Sequence, residues 1–132
     1  MDAQRIHLDP DPFDQFYISQ GFRIGDLILL SGQVGIGDDG TTVAGGFDAQ
    51  ADQAMRNIQR ALQAAGSDID KIVKVTIYVT DMQYRENVFA LRQRWFKVPY
   101  PADTFVQVAA LGRPERLIEI DATALVEGQL RP

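Results

Sequence analysis

The hydrophobic residues change their spacing between residues 47 and 79, and this change limits the folds that the chain can adopt. They first recur at steps of three and four, the spacing of one face of an α-helix. The stripe consists of Phe47, Ala51, Ala54, Met55, Ile58, Leu62 and Ala65. After Gly66, a helix C-cap, strict alternation over residues 72–79 is typical of a strand. An amphipathic helix that leads into a strand requires a layered fold.

The flanking segments complete a β-β-α-β-α-β-β order. Residues 16–20 and 23–33 are predicted to form an opening hairpin. A second helix is predicted to begin at Thr80 and to end before Pro99, and strands at 104–111 and 116–126 finish the chain. This order predicts an α+β domain, a mixed sheet with both helices on one face.

One face of such a sheet has no helix to cover it. The apolar residues predicted on this open face are Ile72 and Tyr78, or Phe105, Ala109 and Leu111. These residues are too apolar to remain in water if the strands lie side by side. We therefore expect a symmetric homo-oligomer that buries the face.

Composition excludes several kinds of site. The 132 residues are predicted to form one domain, residues 1–132. There is no Cys, which rules out thiolate nucleophiles and cysteine zinc sites, and the single histidine, His7, has no second His at metal spacing. No apolar run is long enough to span a bilayer, and the acidic N-terminus does not resemble an export signal. We expect no metal, no membrane contact and a cytoplasmic location.

The basic residues do not form a nucleic-acid surface. The formal net charge is −5, which opposes binding along a phosphate backbone. Arg92, Arg94 and Lys97 are grouped on the second helix, where we expect a solvated face. The charge pattern thus does not favour a nucleic-acid partner.

Two acids on the last predicted strand could carry chemistry. Glu119 and Asp121 alternate with apolar neighbours, so both project from one face of the sheet. If that face is enclosed, the two charges would raise the pKa of one of them, and such a Glu can act as a general base toward water. The alternative is a solvated outer face.

Several short motifs, in this order and spacing, resemble the Rid family, also called the YjgF or endoribonuclease L-PSP family. The resemblance covers nearly the whole chain. Its carriers are Tyr17 with Ser19-Gln20-Gly21, Leu30-Ser31-Gly32-Gln33, Gln53 to Leu62 with Ala64-Ala65-Gly66, Val73 to Thr76 with Tyr78-Val79 and Asp81, Pro101-Ala102, Val106 to Leu111, and Ile118 to Ala122.

The resemblance implies a chorismate-mutase-like fold assembled as a homotrimer, with a small-molecule ligand in each of three clefts between subunits. It also implies hydrolysis of reactive enamines and imines to 2-oxo acids and ammonia without any cofactor. On this basis Glu119 is the candidate catalytic acid, and Tyr17 and the segment Ser31, Gly32 and Gln33 line the substrate pocket.

Asp103 departs from the family pattern. The resemblance implies that an Arg after Pro-Ala grips the substrate carboxylate, and here that position is Asp103. A carboxylate there would repel a 2-imino acid, unless it caps a backbone amide at the strand entrance or pairs with a nearby Arg. Arg113 and Arg116, in the loop between the last two strands, are the candidate partners and could rebuild an anion site.

The sequence thus predicts a deaminase-like hydrolase of C=N bonds with an altered substrate preference. A non-catalytic trimer that binds a small ligand or another protein is the alternative. Ribonuclease activity is a third and weaker reading, since the acidic composition and the single His do not favour it.

Overall fold

Seven strands and two α-helices form the protein, in a computed structural model that describes residues 1–132. The strands are β1 (Ala3–Ile6), β2 (Gly21–Ile24), β3 (Leu27–Leu30), β4 (Gln33–Val34), β5 (Ile72–Val79), β6 (Ala102–Gln107) and β7 (Ile118–Leu125). The helices are α1 (Gly46–Ala64) and α2 (Arg85–Trp95). Neither helix combines the length and the apolar character that crossing a bilayer requires.

The strands form one mixed sheet in the order β1-β2-β3-β7-β5-β6, with β4 also paired to β7. Only β5 and β6 are parallel, and α2 makes the crossover between them. Strand β7 therefore lies at the centre of the sheet, and β1 and β6 are its edges.

Both helices pack on the same face of the sheet, as the sequence predicted. Alternate residues of β5 and β7 point toward α1, and Ile77, Ile118 and Ile120 are fully buried there. The apolar stripe of α1 meets them, with Met55 and Ile58 also fully buried. Burying one such side chain contributes about 1.5–3 kcal/mol, so this layer fixes the orientation of β7.

Local details correct the predicted boundaries. Residues 16–20 are not a strand: Asp14–Phe16 form a 3-10 turn, and the hairpin is made by β2 and β3. Strand β1, which pairs with β2, was not predicted. The turn before α2 is capped by Asp81 rather than Thr80, since the Asp81 carboxylate accepts the N–H of Gln83 at 2.8 Å.

The open face also differs from the predicted one. A β-bulge between Ile72 and Lys74 turns Ile72 into the core. Phe105 packs against the core on the helix side, and β6 ends at Gln107, before Ala109 and Leu111. Tyr78 does lie on the open face, beside Glu119 of β7.

Candidate active site

Glu119 lies at the centre of the open face. On β7 its neighbours Ile118 and Ile120 are buried in the core, so the Glu119 side chain points the other way. Residue 119 pairs with Tyr78 on one side and with Val34 on the other. The glutamate is thus held on the most central strand of the sheet.

The carboxyl group of Glu119 lies against the backbone of Gly32, in the short gap between β3 and β4. A Cβ at residue 32 would come within 2.6 Å of Glu119 Oε2, which is closer than real contacts allow. A side chain at residue 32 would therefore push the Glu119 carboxyl group out of this position. The predicted pocket residue Gly32 and the predicted acid Glu119 do lie together.

Burial dominates the acidity of Glu119. Loss of water around the carboxyl group raises its pKa above 4.5, the charge of Asp121 adds to that effect, and the Arg116 guanidinium opposes it. A raised pKa means that part of the population is protonated at a pH where an exposed Glu is fully ionised. This is the behaviour expected of a group that exchanges protons with a bound molecule.

Asp121 and Tyr78 form a fixed polar pair beside the glutamate. The Tyr78 hydroxyl donates to Asp121 at 3.3 Å, and the backbone N–H of Thr76 donates to the same carboxylate at 3.2 Å. Burial and the Asp121 charge raise the pKa of the Tyr78 hydroxyl, which keeps its proton. The Asp121 carboxylate therefore already accepts two hydrogen bonds, whereas the Glu119 carboxyl makes none within the chain.

Ser31 and Gln33 serve an internal network. The Ser31 hydroxyl donates to the Ser19 carbonyl at 2.7 Å, and the Gln33 amide donates to the Gln20 side chain at 3.0 Å. Gln33 is 1% exposed, on the core side of the sheet. Both residues therefore hold the loop that contains Tyr17 against the segment between β3 and β4 that contains Gly32.

Tyr17 has an unusual position for a large aromatic residue. Its side chain is almost fully in solvent, at 97% exposure, and it is the one non-glycine residue with positive φ, at 61°. The left-handed backbone region is unfavourable for a residue with a Cβ. The ring buries almost none of its surface against its own chain.

Asp103 is neutralised by Arg92. The guanidinium on α2 holds the carboxylate with two hydrogen bonds, Nε to Oδ2 at 2.9 Å and Nη2 to Oδ1 at 2.8 Å. The Arg92 guanidinium also lies near the rings of Phe89 and Phe105, at 5.5 and 5.4 Å. The partner is thus neither Arg113 nor Arg116, and Arg92 is not part of a purely solvated helix face. The predicted reversal of charge at residue 103 becomes a neutral pair.

Glu119 and Asp103 do not meet within one chain. Asp103 aligns with Val75, whose side chain is in the core on the helix side, whereas Glu119 projects from the open face. Strand β5 also separates the strands that carry them. The chain thus has two separate groups of predicted site residues, one around Glu119 and Gly32 and one around Asp103.

The comparisons with known proteins agree with this architecture. A family model described as endoribonuclease L-PSP matches residues 9–126. The chain belongs to the endoribonuclease L-PSP family. Human 2-iminobutanoate/2-iminopropanoate deaminase is 37% identical over 108 residues, which cover 81% of this chain and 78% of the human protein. Protein DfrA of Myxococcus xanthus is 36% identical over 129 residues, or 95% of this chain and 97% of DfrA.

A solved structure confirms the fold. RidA from an Antarctic Psychrobacter species superposes on the chain with a TM-score of 0.85 at 31% identity, over 92% of this chain and 98% of RidA. The Rid resemblance of the sequence motifs and the fold class are therefore confirmed.

One group near the N-terminus has the composition of a metal site. His7, Asp11 and Asp14 place ligand atoms within 4.8 Å of one another. However, Asp11 accepts the Gln20 amide at 2.9 Å, and Asp14 pairs with Arg5 at 2.7 Å. Both carboxylates thus have structural partners that tie the N-terminal segment to the domain.

Sequence reasoning named Arg92 and Arg116 but not the acids that they lie beside. Arg92 reaches Asp103 because the last turns of α2 pack beside the start of β6, and the acid at 103 together with the basic face of α2 was the signal for it. Arg116 lies close enough to Glu119 to lower its pKa. Its position three residues before Glu119 in the sequence was the available signal.

Proposed function

We propose that the protein is a deaminase-type hydrolase that adds water to the C=N bond of a small imine, including an imine formed when an enamine tautomerises. The Glu119 carboxylate accepts a proton from water as the oxygen attacks the imine carbon. Glu119 returns this proton to the nitrogen, which gives a neutral amino alcohol. It then transfers the hydroxyl proton of that intermediate to the amino group, the C–N bond breaks, and ammonia and a carbonyl compound remain. The overall change is an imine plus water to a carbonyl compound plus ammonia, and the chain's own groups suffice for it.

The observation that carries this proposal is the state of Glu119. It is a half-buried carboxyl with a raised pKa, fitted against Gly32 and without a hydrogen-bond partner in the chain. A structural acid would be paired, as Asp103 and Asp121 are. The name of the human relative, a 2-iminobutanoate/2-iminopropanoate deaminase, supports the reaction class.

We further propose that the substrate lies between subunits of a homotrimer. The two groups of site residues on one chain face different directions, so a pocket that uses both requires residues from two copies. The exposed ring of Tyr17 is suited to cover a pocket on a neighbouring chain.

The substrate preference is proposed to differ from that of a protein with a guanidinium at position 103. The Asp103 carboxylate already occupies Arg92, so neither group is free to hold a substrate carboxylate. Loss of a charge-assisted bidentate contact costs about 1.5–3 kcal/mol, which corresponds to about one to two decades in affinity.

The test compares native protein with Asp103→Arg on 2-iminopropanoate generated in situ by an amino-acid oxidase. We expect the variant to raise kcat/KM for this imine by about tenfold or more. Asp103→Asn is the matched control, since it removes the carboxylate without adding a guanidinium, and it should gain less. A native protein that surpasses the Asp103→Arg variant would contradict the altered preference.

The absence of any imine hydrolysis in both proteins would contradict the deaminase assignment itself. It would favour the second candidate, a ligand-binding trimer without catalysis. The neutral Arg92–Asp103 pair is the observation in favour of that candidate, because it closes the position from which the family resemblance implies a grip on the substrate.

A further inference from the structure

Arg116 is the one guanidinium near Glu119, and it has no partner in the chain. It takes part in none of the ion pairs. Its Nε is buried and makes no hydrogen bond. A buried donor without an acceptor costs about 1–3 kcal/mol, so such a group is unusual unless it serves a bound molecule.

Contacts of the Arg116 side chain and backbone fix its position. Its guanidinium lies 5.9 Å from the centre of the Phe16 ring, and one terminal nitrogen lies against the backbone of Gly112. The backbone N–H of Arg116 donates to the Arg113 carbonyl at 3.1 Å, which closes a turn just before β7. The Phe16 ring packs against the cluster that contains Val34, and Val34 is the β4 residue that pairs with Glu119. The guanidinium is therefore held near the part of the sheet that carries Glu119.

The relation between Arg116 and Glu119 is electrostatic but not a contact. The guanidinium lowers the pKa of the Glu119 carboxyl, yet no nitrogen and oxygen of the two groups come within the 4.0 Å of an ion pair. A guanidinium and a carboxyl that lie near each other without pairing can contact opposite ends of one small molecule.

The other basic groups of this region are already engaged. The ammonium group of Lys74, on the open face, donates to the Val75 carbonyl at 2.8 Å and to the Thr104 hydroxyl at 3.0 Å. Arg92 is held by Asp103. Arg113 is in the same loop as Arg116 but is exposed, without the aromatic contact that fixes Arg116.

We infer that Arg116 binds the anionic group of the substrate, so that the carboxylate is held from the loop before β7 instead of from position 103 on β6. This inference rests on the proposed function and specifies its substrate class. The substrate is an imine or enamine that carries a carboxylate, placed so that its C=N carbon is next to Glu119 while its anion contacts Arg116.

Binding can be tested separately from turnover. Isothermal titration calorimetry of the full-length native protein with 2-oxobutanoate, the carbonyl counterpart of an imine substrate, measures recognition of the carboxylate. We expect Arg116→Gln to weaken this binding by about tenfold to a hundredfold. Arg116→Lys, which retains the charge without the bidentate geometry, should recover part of the loss.

Two controls exclude a general effect of the substitution. The neutral 2-oxobutanamide should bind native protein and Arg116→Gln alike, because it has no charge to lose. Arg131→Gln removes an equal charge at the exposed C-terminal end and should bind 2-oxobutanoate as the native protein does. Turnover measured on the alkaline plateau of each protein's own pH profile should show a raised KM with a nearly unchanged kcat.

The inference is overturned if native protein does not bind 2-oxobutanoate, if Arg116→Gln binds it normally, or if Arg113→Gln produces the loss instead. Binding that depends on Arg116, without hydrolysis of any imine, would support the inference while contradicting the proposed function. Hydrolysis with a KM that is the same in native protein and Arg116→Gln would support the proposed function and contradict the role of Arg116.

Discussion

Glu119 has an incompletely hydrated carboxyl group that lies against the backbone of Gly32. Such a carboxyl is a base over a limited pH range, because it must lose its proton before it can accept one from water. Its pKa is raised above 4.5. We therefore expect kcat/KM to fall on the acidic side at a pH above the range in which an exposed glutamate titrates.

Substitution of Glu119 by glutamine should separate activity from stability. Glu119→Gln keeps the shape but cannot accept the proton, so we expect a loss of about 10²–10⁴-fold in kcat/KM for the imine. Folding favours the protonated carboxyl, so the stability from this group is present at low pH and is lost as the pH rises through the raised pKa.

The glutamine is neutral at every pH, and the variant should therefore be at least as stable as the native protein at pH 7. Thermal unfolding from pH 4 to 8 measures this, with Asp121→Asn as the comparison. A clearly lower Tm of Glu119→Gln at neutral pH would show that the charged form of Glu119 stabilises the fold.

At this scale the sequence predicted the residues but not their partners. Glu119, Asp121 and Gly32 are where alternation and motif order suggested. The charges of Asp103 and Arg92 were visible in the sequence, but their pairing was not predicted. It depends on how α2 docks beside β6, and hydrophobic spacing does not encode that docking.

Between elements, the Arg92–Asp103 pair joins the last turns of α2 to the first residues of the edge strand β6. The two side chains are only 28% and 22% exposed, so the pair is partly shielded from water. A double-mutant cycle with Arg92→Met and Asp103→Asn should give a coupling of about 1–3 kcal/mol in the free energy of unfolding in urea.

The chain offers a matched control for this cycle. Arg85 and Glu86 also form an ion pair, but their side chains are 58% and 78% exposed. The cycle of Arg85→Met and Glu86→Gln should give a coupling below about 0.5 kcal/mol at the same protein concentration. Equal couplings for both pairs would mean that the Arg92–Asp103 pair does not tie α2 to the sheet.

Hydrophobic spacing predicted the long elements and failed for the short ones. Helix α1 and strands β5 and β7 have many periodic residues, and the packing of the helix on the sheet was predicted correctly. Strand β1 has four residues and three of them are exposed, so no alternation marks it; its pairing with β2 defines it. The bulge in β5 is likewise a matter of register between strands.

For the whole molecule, the open face remains the largest feature without a partner in the chain. Leu27 and Leu29 are 43% and 45% exposed there, and the edge strand β6 has five of its six residues exposed. In sedimentation equilibrium, a trimer should have three times the 14.7 kDa mass of one chain. Leu29→Glu, which places a charge on the face, should shift the protein to the mass of one chain.

Ala90→Glu is the control for this experiment, since residue 90 is exposed on α2, on the covered side of the sheet. It should leave the sedimentation unchanged. A native protein that sediments as a single chain would contradict the proposed assembly. The sequence predicted an exposed apolar face because helices cover only one side, but the stoichiometry depends on contacts between copies, which spacing within one chain does not determine.

The backbone at Tyr17 has a consequence for engineering. A glycine or asparagine would relax a left-handed residue and, by itself, would make the isolated chain easier to fold. Variants selected only for heat resistance would therefore tend to discard this tyrosine, and with it a ring whose value depends on what it touches outside its own chain.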